Sequence, residues 1–184
     1  MEIEVKCRLK DAESLRVRLA GHARYVQTVR QTDTLYDYPD ERLQKKDEVL
    51  RVREERVLHG RDRGTQRVIA TFKGAKKKSK LVKKREEHEL ELLAASADAD
   101  DVARELGLTP RLRYEKIREE YEANGARIEI DSFPYEHVES YVEIEAPNEK
   151  RVHALMKTLR VSHKSVEKKS YPELVRAARK RKRQ

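Results

Sequence analysis

The segment Glu2-Ile3-Glu4-Val5-Lys6 alternates charged and aliphatic side chains without a break, and the pattern returns in RIEID at residues 127–131 and VEIE at residues 142–145. Successive side chains of a strand point to opposite faces, so each run has one ionic face and one apolar face. Glu2, Glu4 and Lys6 lie together against Ile3, Val5, Cys7 and Leu9. Glu129 and Asp131 lie together against Ile128 and Ile130, and Glu143 and Glu145 against Val142 and Ile144. A chain built from such strands must form sheets with one unusually polar face.

Charged residues make up 42% of the 184-residue chain, a level that favours disorder unless the charges are organised. Here they recur in short β-like runs, so a folded domain is expected. The formal net charge is +9, but the last nine residues, RAARKRKRQ, hold six bases and no acid. Without them the body is only mildly basic, so the total is not by itself a nucleic-acid signature. The division expected is a domain over residues 1–175 and a basic tail over 176–184, the tail reading as a frayed helix end. The single cysteine, Cys7, sits on the apolar side of its strand and reads as core. It allows no intramolecular disulfide, and a reducing cytoplasm is the simpler expectation. No apolar run approaches the ~20 residues of a membrane span, and the acidic start is unlike a signal peptide.

Along the chain, residues 2–9 read as a strand and residues 11–20 as a helix capped by Asp11 and stopped at Gly21. Strands are expected over 23–38, 48–57, 67–74 and 81–92, then a helix over 96–108. Asn124-Gly125 is a strong hairpin signal between two further strands. The strand ESYVEIEA, a helix after Pro147 and another near Pro172 follow. This gives about eight antiparallel strands with three or four helices, an α+β chain. A sandwich would turn its charged faces outward to water, whereas a closed barrel with helices outside would turn them into a polar lumen. Acidic strands run straight into helices at residues 2–20 and 142–159, a hint of internal symmetry.

Two carboxylates about 6 Å apart repel by ~3 kcal/mol at an effective dielectric near 20. If several acidic faces converge, a cation must lie between them. Basic residues show the matching pattern: Arg51 and Arg53 in LRVR, Lys73 in TFKG, Arg85 in KKREEHE, and Lys116 with Arg118 in EKIRE. Carboxylates suit Mg²⁺ or Mn²⁺, hard cations that prefer oxygen. Guanidinium and ammonium groups suit phosphate oxygens. A lumen lined by both fits a polyphosphate carrying a divalent metal. Any single acidic pair, Glu129 with Asp131 for instance, is also explained by a solvated strand face. The tyrosines at 36, 114, 121 and 141 read as packing on the wall, and the six histidines form no zinc pattern.

The ordered set resembles the CYTH superfamily of triphosphate tunnel enzymes, named for class IV adenylyl cyclase and thiamine triphosphatase. The likeness begins with E-x-E-x-K at Glu2, Glu4 and Lys6 and continues through TDTLYDYPDERL, LRVR, TFKG and the R-x-E-x-E of Arg85, Glu87 and Glu89. It goes on through Lys116 with Arg118, then Asp131, then Glu143 with Glu145. The resemblance implies an eight-stranded antiparallel closed tunnel with helices packed outside, using Mg²⁺ or Mn²⁺. Carried onto this chain, Glu143 and Glu145 are metal ligands, completed or supported by Glu2, Glu4 and Asp131. Lys6, Arg51, Arg53, Lys73, Arg85, Lys116 and Arg118 contact the triphosphate, with Lys6, Lys73 and Arg118 the catalytic candidates. Leu35, and Glu139-Ser140 before the last acidic strand, depart from the family pattern.

The compact length and the SYPELV ending look most like class IV adenylyl cyclases, which convert ATP to cyclic AMP and pyrophosphate. Hydrolysis of tripolyphosphate or thiamine triphosphate uses the same clamp and stays open. A third reading, a non-catalytic module binding RNA or another polyanion, is prompted by KGAKKKSKLVKKR and the tail. Only Phe72 lies near that basic run as an aromatic platform, so nucleic acid is the weaker partner. A homodimer is compatible with the chain, without a locatable interface.

Overall fold

The computed structural model describes residues 3–75, 86–92 and 96–181, without the side chains of 96 and 97. Eight strands form one sheet: β1 (Ile3–Leu9), β2 (Arg24–Asp37), β3 (Val49–Gly60), β4 (Gln66–Lys73), β5 (Glu87–Leu92), β6 (Thr109–Ala123), β7 (Ala126–Ser132) and β8 (Ser140–Ala146). Helices α1 (Ala12–Ala20), α2 (Arg42–Lys45), α3 (Ser96–Glu105), α4 (Glu149–Thr158) and α5 (Tyr171–Arg181) complete the fold with one short 3₁₀ turn at His163–Ser165.

The strand order is β1-β8-β7-β6-β2-β3-β4-β5, and every neighbouring pair is antiparallel. Apart from the single turn of α2 between β2 and β3, the connectivity repeats: β1-α1-β2-β3-β4 is followed by β5-α3-β6-β7-β8. Advancing each strand number by four maps β2·β3 onto β6·β7, β3·β4 onto β7·β8, and β1·β8 onto β5·β4, with β2·β6 at the axis. The repeat therefore pairs the opening strand and helix with β5 and α3, not with β8 and α4 as the acidic sequence runs suggest. The sheet curls so that Lys73 on β4 lies within electrostatic reach of Glu4 on β1, at opposite ends of the ladder. Among the described residues no hydrogen-bonded ladder joins β5 to β1.

Alternation does what the sequence implies. The apolar side of β1, β7 and β8 (Ile3, Val5, Cys7, Ile128, Ile130, Val142, Ile144) packs against Leu15 and Leu19 of α1 and Val152, Leu155 and Met156 of α4. Burying each such side chain contributes about 1.5–3 kcal/mol, enough to fix the register, because a one-residue slip would exchange the faces. Ala99 and Ala103 of α3 cover Val52 and Tyr36 on the central strands. Asp11 and Asn148 cap α1 and α4 by accepting from Ser14 and Arg151 amides. Asn124 and Gly125 take φ of 48° and 75°, the left-handed pair a two-residue hairpin requires.

The sequence reading misses α2, a single turn held by Asp37, whose carboxylate accepts from the amides of Leu43 and Gln44. It also places the start of the fifth strand at residue 81, which lies outside the described residues. Helix α5 continues through the expected 175/176 boundary because Val175 and Ala178, three apart, keep one face buried. No helix among the described residues is long and apolar enough to cross a membrane.

Candidate functional site

Directly paired residues of antiparallel neighbours share a face, so the register defines the inner surface. Lys6 pairs with Glu143, which pairs with Glu129; Glu4 pairs with Glu145; Asp131 pairs with Arg118; Arg53 pairs with Asp33; Lys73 pairs with Glu87. All of these turn away from the core just described and into the curl of the sheet. Lys6, Asp33, Arg53, Lys116, Arg118, Glu129, Asp131 and Glu143 are buried there. Such a concentration of buried charge is tolerated only when the groups satisfy one another or a ligand.

One wall carries Arg51, Arg53 and Lys73, matched by the carboxylates of Glu89, Asp33 and Glu87. Arg53 reaches Asp33 with Nε at 2.7 Å and Nη2 at 3.0 Å, a two-point contact, and Arg51 Nε lies 4.0 Å from the same carboxylate. Arg51 Nη2 also donates to Thr71 at 2.8 Å and Glu89 at 3.2 Å, while its Nε is buried without a hydrogen-bond partner. Lys73 Nζ donates to Glu87 at 2.6 Å. Burial would raise the Asp33 carboxyl, but Arg53 and Arg51 outweigh it and hold the group far below the usual carboxylate range. Burial, aided by Arg51 and opposed by Glu87, pushes the Lys73 ammonium down.

The facing wall is predominantly acidic and is organised by Arg118. Its Nε and Nη2 donate to the two oxygens of Asp131 at 2.7 and 2.6 Å, Nη2 reaches Glu143 at 2.7 Å, and Nη1 meets Glu129 at 2.5 Å. Lys116 Nζ donates to Asp131 at 2.8 Å. Burial works against the Asp131 anion, yet Arg118 and Lys116 draw its carboxyl well below the usual range. Glu129 goes the other way: burial pushes it up, Arg118 opposes, and Glu143 and Asp131 add repulsion. Arg118 thus gathers three carboxylates, with Lys116 on Asp131 and Lys6 opposite Glu143 supplying further positive charge. At the outer edge of this wall Glu145 meets Arg127 at 3.3 Å and pairs across the ladder with the half-buried Glu4.

One end of the curl is closed by α5. Tyr171 and Val175 pack with Leu35, Leu112, Tyr114 and Tyr141 in an apolar cluster. The Tyr171 ring lies 4.0 Å from Lys6 Nζ and 4.7 Å from Lys116 Nζ. Leu35, one of the departures from the family pattern, is thus part of the plug. At the other departure, Glu139 forms an ion pair with Arg8 and Ser140 bonds to Ser132.

Of the residues singled out from sequence, Glu4, Lys6, Arg51, Arg53, Lys73, Lys116, Arg118, Asp131, Glu143 and Glu145 all line this one inner face. Glu2 and Arg85 lie outside the described residues, as does the basic run from Lys76. Glu129 corrects the solvated-face reading: it and Asp131 are buried, since β7 sits between β6 and β8 with both faces covered. Sequence reasoning missed Asp33, although strand alternation places it with Gln31 on the inner face of β2. It also missed Tyr171, which lies in a helix and carries no strand signal. All four tyrosines pack as expected, Tyr36 and Tyr121 under the covering helices and Tyr114 and Tyr141 in the plug.

The donor chemistry fits a divalent cation. Glu4, Glu143 and Glu145 offer only oxygens, on adjacent strands, beside the buried carboxylates of Glu129 and Asp131. Among the described residues no three such groups stand in a ligating arrangement around one point, because Arg118 occupies the carboxylates of Glu129, Asp131 and Glu143.

The chain is similar over nearly its whole length to several solved structures. A Pyrococcus horikoshii OT3 protein is 26% identical with a TM-score of 0.80, covering 96% of this chain and 99% of that one. A Vibrio parahaemolyticus protein named as a candidate adenylate cyclase is 17% identical with a TM-score of 0.74, covering 95% and 97%. A Hippeastrum protein first taken for an adenylyl cyclase, and described as having a dominant triphosphatase activity, is 20% identical with a TM-score of 0.72, covering 96% of each chain. No curated protein matches the chain. The CYTH domain model matches residues 1–171, a span that takes in all eight strands and both walls of the tunnel, and the chain belongs to the CYTH domain family.

Proposed function

We propose that this protein is a divalent-metal-dependent enzyme that cleaves triphosphate substrates, with hydrolysis of the phosphoanhydride chain its principal reaction. The observation that carries the reading is the facing of two walls. Arg51, Arg53 and Lys73 line one, and the Arg118 cluster with Glu143 lines the other. A polyphosphate has many oxygens for the first wall and, with a bound cation, a positive centre for the second. Binding then proceeds by exchange: phosphate oxygens replace carboxylates as partners of Arg51 and Lys73, so little new charge is buried.

Mg²⁺ or Mn²⁺ would be held by Glu143 and Glu145 with support from Glu4 and Asp131, and when bound it polarises phosphoryl oxygens. The chain's own groups do the rest. Arg51, Arg53 and Lys116 orient the phosphates. Lys6, Lys73 and Arg118 stabilise the charge that spreads over the transferred group and its leaving oxygen. Phosphoryl transfer needs little covalent help from protein, so positioning and electrostatics in a water-poor lumen supply most of the acceleration.

Conversion of ATP to cyclic AMP and pyrophosphate, as in class IV adenylyl cyclases, is the second reading, favoured by the family likeness that extends through the SYPELV segment. Hydrolysis stands first because every polar group in the two walls suits phosphate or metal, while Tyr114, Tyr141 and Tyr171 are packed among themselves and do not offer a face to a base. Support also comes from the triphosphatase activity described for the Hippeastrum protein. The test is a product assay with Mg²⁺ or Mn²⁺ on tripolyphosphate, thiamine triphosphate and ATP in parallel. Orthophosphate from the first two is expected. Cyclic AMP with pyrophosphate from ATP would promote the cyclase, and no turnover of any triphosphate would overturn both.

A further inference from the structure

We propose that Tyr171 is a positioning residue for the phosphate-binding lysines, and that α5 is thereby an integral part of the tunnel rather than an appended tail. The inference rests on the triphosphate reading for its consequence, though not for its geometry.

The ammonium groups of Lys6 and Lys116 arrive from β1 and β6, strands separated in the sheet by β8 and β7. They converge on one aromatic ring, at 4.0 and 4.7 Å from its centroid, and Lys6 is also 5.8 Å from the centroid of Tyr141. An aromatic face attracts a cation electrostatically, and the attraction strengthens when the pair is removed from water. Here Lys6 and Lys116 are 2% and 1% exposed and Tyr171 is 8% exposed.

The ring is itself fixed. Phe133 lies 5.0 Å away and Tyr141 5.6 Å away, the latter edge-on at 69°. Farther along α5, Val175 is fully buried and Arg179 donates to the carbonyl of Arg113 at 2.6 Å. The helix thus clamps the ring from outside. The Tyr171 hydroxyl is buried beside the Asp131 carboxylate, while the face of the ring is what meets both ammonium groups.

An ammonium has three N–H donors. Lys116 gives one to Asp131. A π face adds to the hold on each charge without taking up an N–H donor in a directional hydrogen bond. Tyr171 in this way fixes where the two ammonium groups sit, Lys116 against Asp131 and Lys6 between the rings of Tyr171 and Tyr141.

The experiment uses the full-length chain and three variants: Tyr171→Phe, which keeps the π face, and Tyr171→Leu and Tyr171→Met, which fill volume without it. Calorimetric titration with tripolyphosphate is read beside the NMR signals of the lysine ε-methylenes. The wild type and Tyr171→Phe should bind within about twofold of each other and show two lysines shifted upfield by the ring current. The Leu and Met variants should lose those shifts and bind about tenfold more weakly, the equivalent of one modest cation–π contact. Wild-type affinity in a folded Leu or Met variant would overturn the proposal, as would unshifted lysine signals in the wild type. If both aliphatic variants fail to fold, the wild-type lysine spectrum decides. A wild type that shows the shifts but binds no tripolyphosphate would sink the triphosphate reading while leaving the positioning geometry standing.

Discussion

Replacing Asp33 by Asn tests whether the tunnel is charged for a ligand or merely for its own stability. Asp33 is 1% exposed and receives two hydrogen bonds from Arg53, with Arg51 4.0 Å away. The substitution keeps the side-chain shape but leaves two guanidinium groups in a buried wall with their shared anion gone. Breaking a buried ion pair from one side costs about 3–5 kcal/mol. In a chain of this size each kcal/mol corresponds to about 2–4 °C, so the melting temperature should fall by about 6–20 °C. Arg53→Met in the same chain should recover most of that loss, because the stranded cation is removed with its partner. Tripolyphosphate should recover it too, since a ligand at about 100 times its Kd contributes ~2.7 kcal/mol and here supplies the missing anion. Thermal unfolding with and without tripolyphosphate, on wild type, single and double variants, is the assay. A fall of less than about 2 °C for Asp33→Asn would refute the claim that these charges depend on one another. An Asp33→Asn variant that tripolyphosphate stabilises less than it stabilises wild type would refute the exchange of carboxylate for phosphate.

Three further outcomes follow from the same geometry. Glu143→Ala should abolish metal-dependent turnover while leaving the circular dichroism spectrum unchanged; full activity would remove it from the ligand set. Arg118→Ala strands the carboxylates of Glu129, Asp131 and Glu143, so the variant should lose about 3–5 kcal/mol and regain part of it in millimolar Mg²⁺ or Mn²⁺, read as a metal-dependent melting temperature that wild type shows more weakly. Asp33 and Asp131 both titrate below their unfolded value of about 3.9. Their stabilising contribution is therefore complete above that value and lost as pH falls beneath it. Denaturant midpoints should drop steeply below pH ~4 in wild type and less steeply in Asp33→Asn.

The parts of this molecule that could be read from sequence are those fixed by period-two alternation. That pattern gave the inner and outer faces of β1, β7 and β8, and with them Lys6, Asp131 and Glu143. It could not say which inner faces meet. The pairing of β2 with β6, which joins residues about eighty positions apart, places Asp33 opposite Tyr114 and sets the two walls side by side. Irregularities in that ladder near Tyr25 and Leu35 shift the register where alternation alone would continue it. Glu129 was ambiguous for a related reason: a lone acidic pair looks the same in sequence whether water or Arg118 stands in front of it. Tyr171 was out of reach because its role depends on a helix folding back over the end of a sheet. Only its place in SYPELV marked it, and that mark carries family likeness without chemistry.

The topological repeat explains how so short a chain makes two unlike walls. Corresponding strands occupy equivalent places, yet in three of the four pairs the inner charges are inverted, while β1 and β5 both carry glutamates. Asp33 on β2 corresponds to a strand carrying Lys116 and Arg118, Arg51 and Arg53 on β3 to one carrying Glu129 and Asp131, and Lys73 on β4 to one carrying Glu143 and Glu145. A symmetric backbone with symmetric charge would offer a ligand two equivalent orientations. Inversion removes that degeneracy: β3 and β4 present the guanidinium and ammonium groups and β7 and β8 the carboxylates, with β2 and β6 between them each bearing the charge that neutralises its neighbour. A purely anionic ligand would be drawn to one wall and repelled by the other, and a bare cation the reverse. The occupant that satisfies both is an anion carrying its own cation, held in a single orientation, which is the condition a triphosphate with a divalent metal meets.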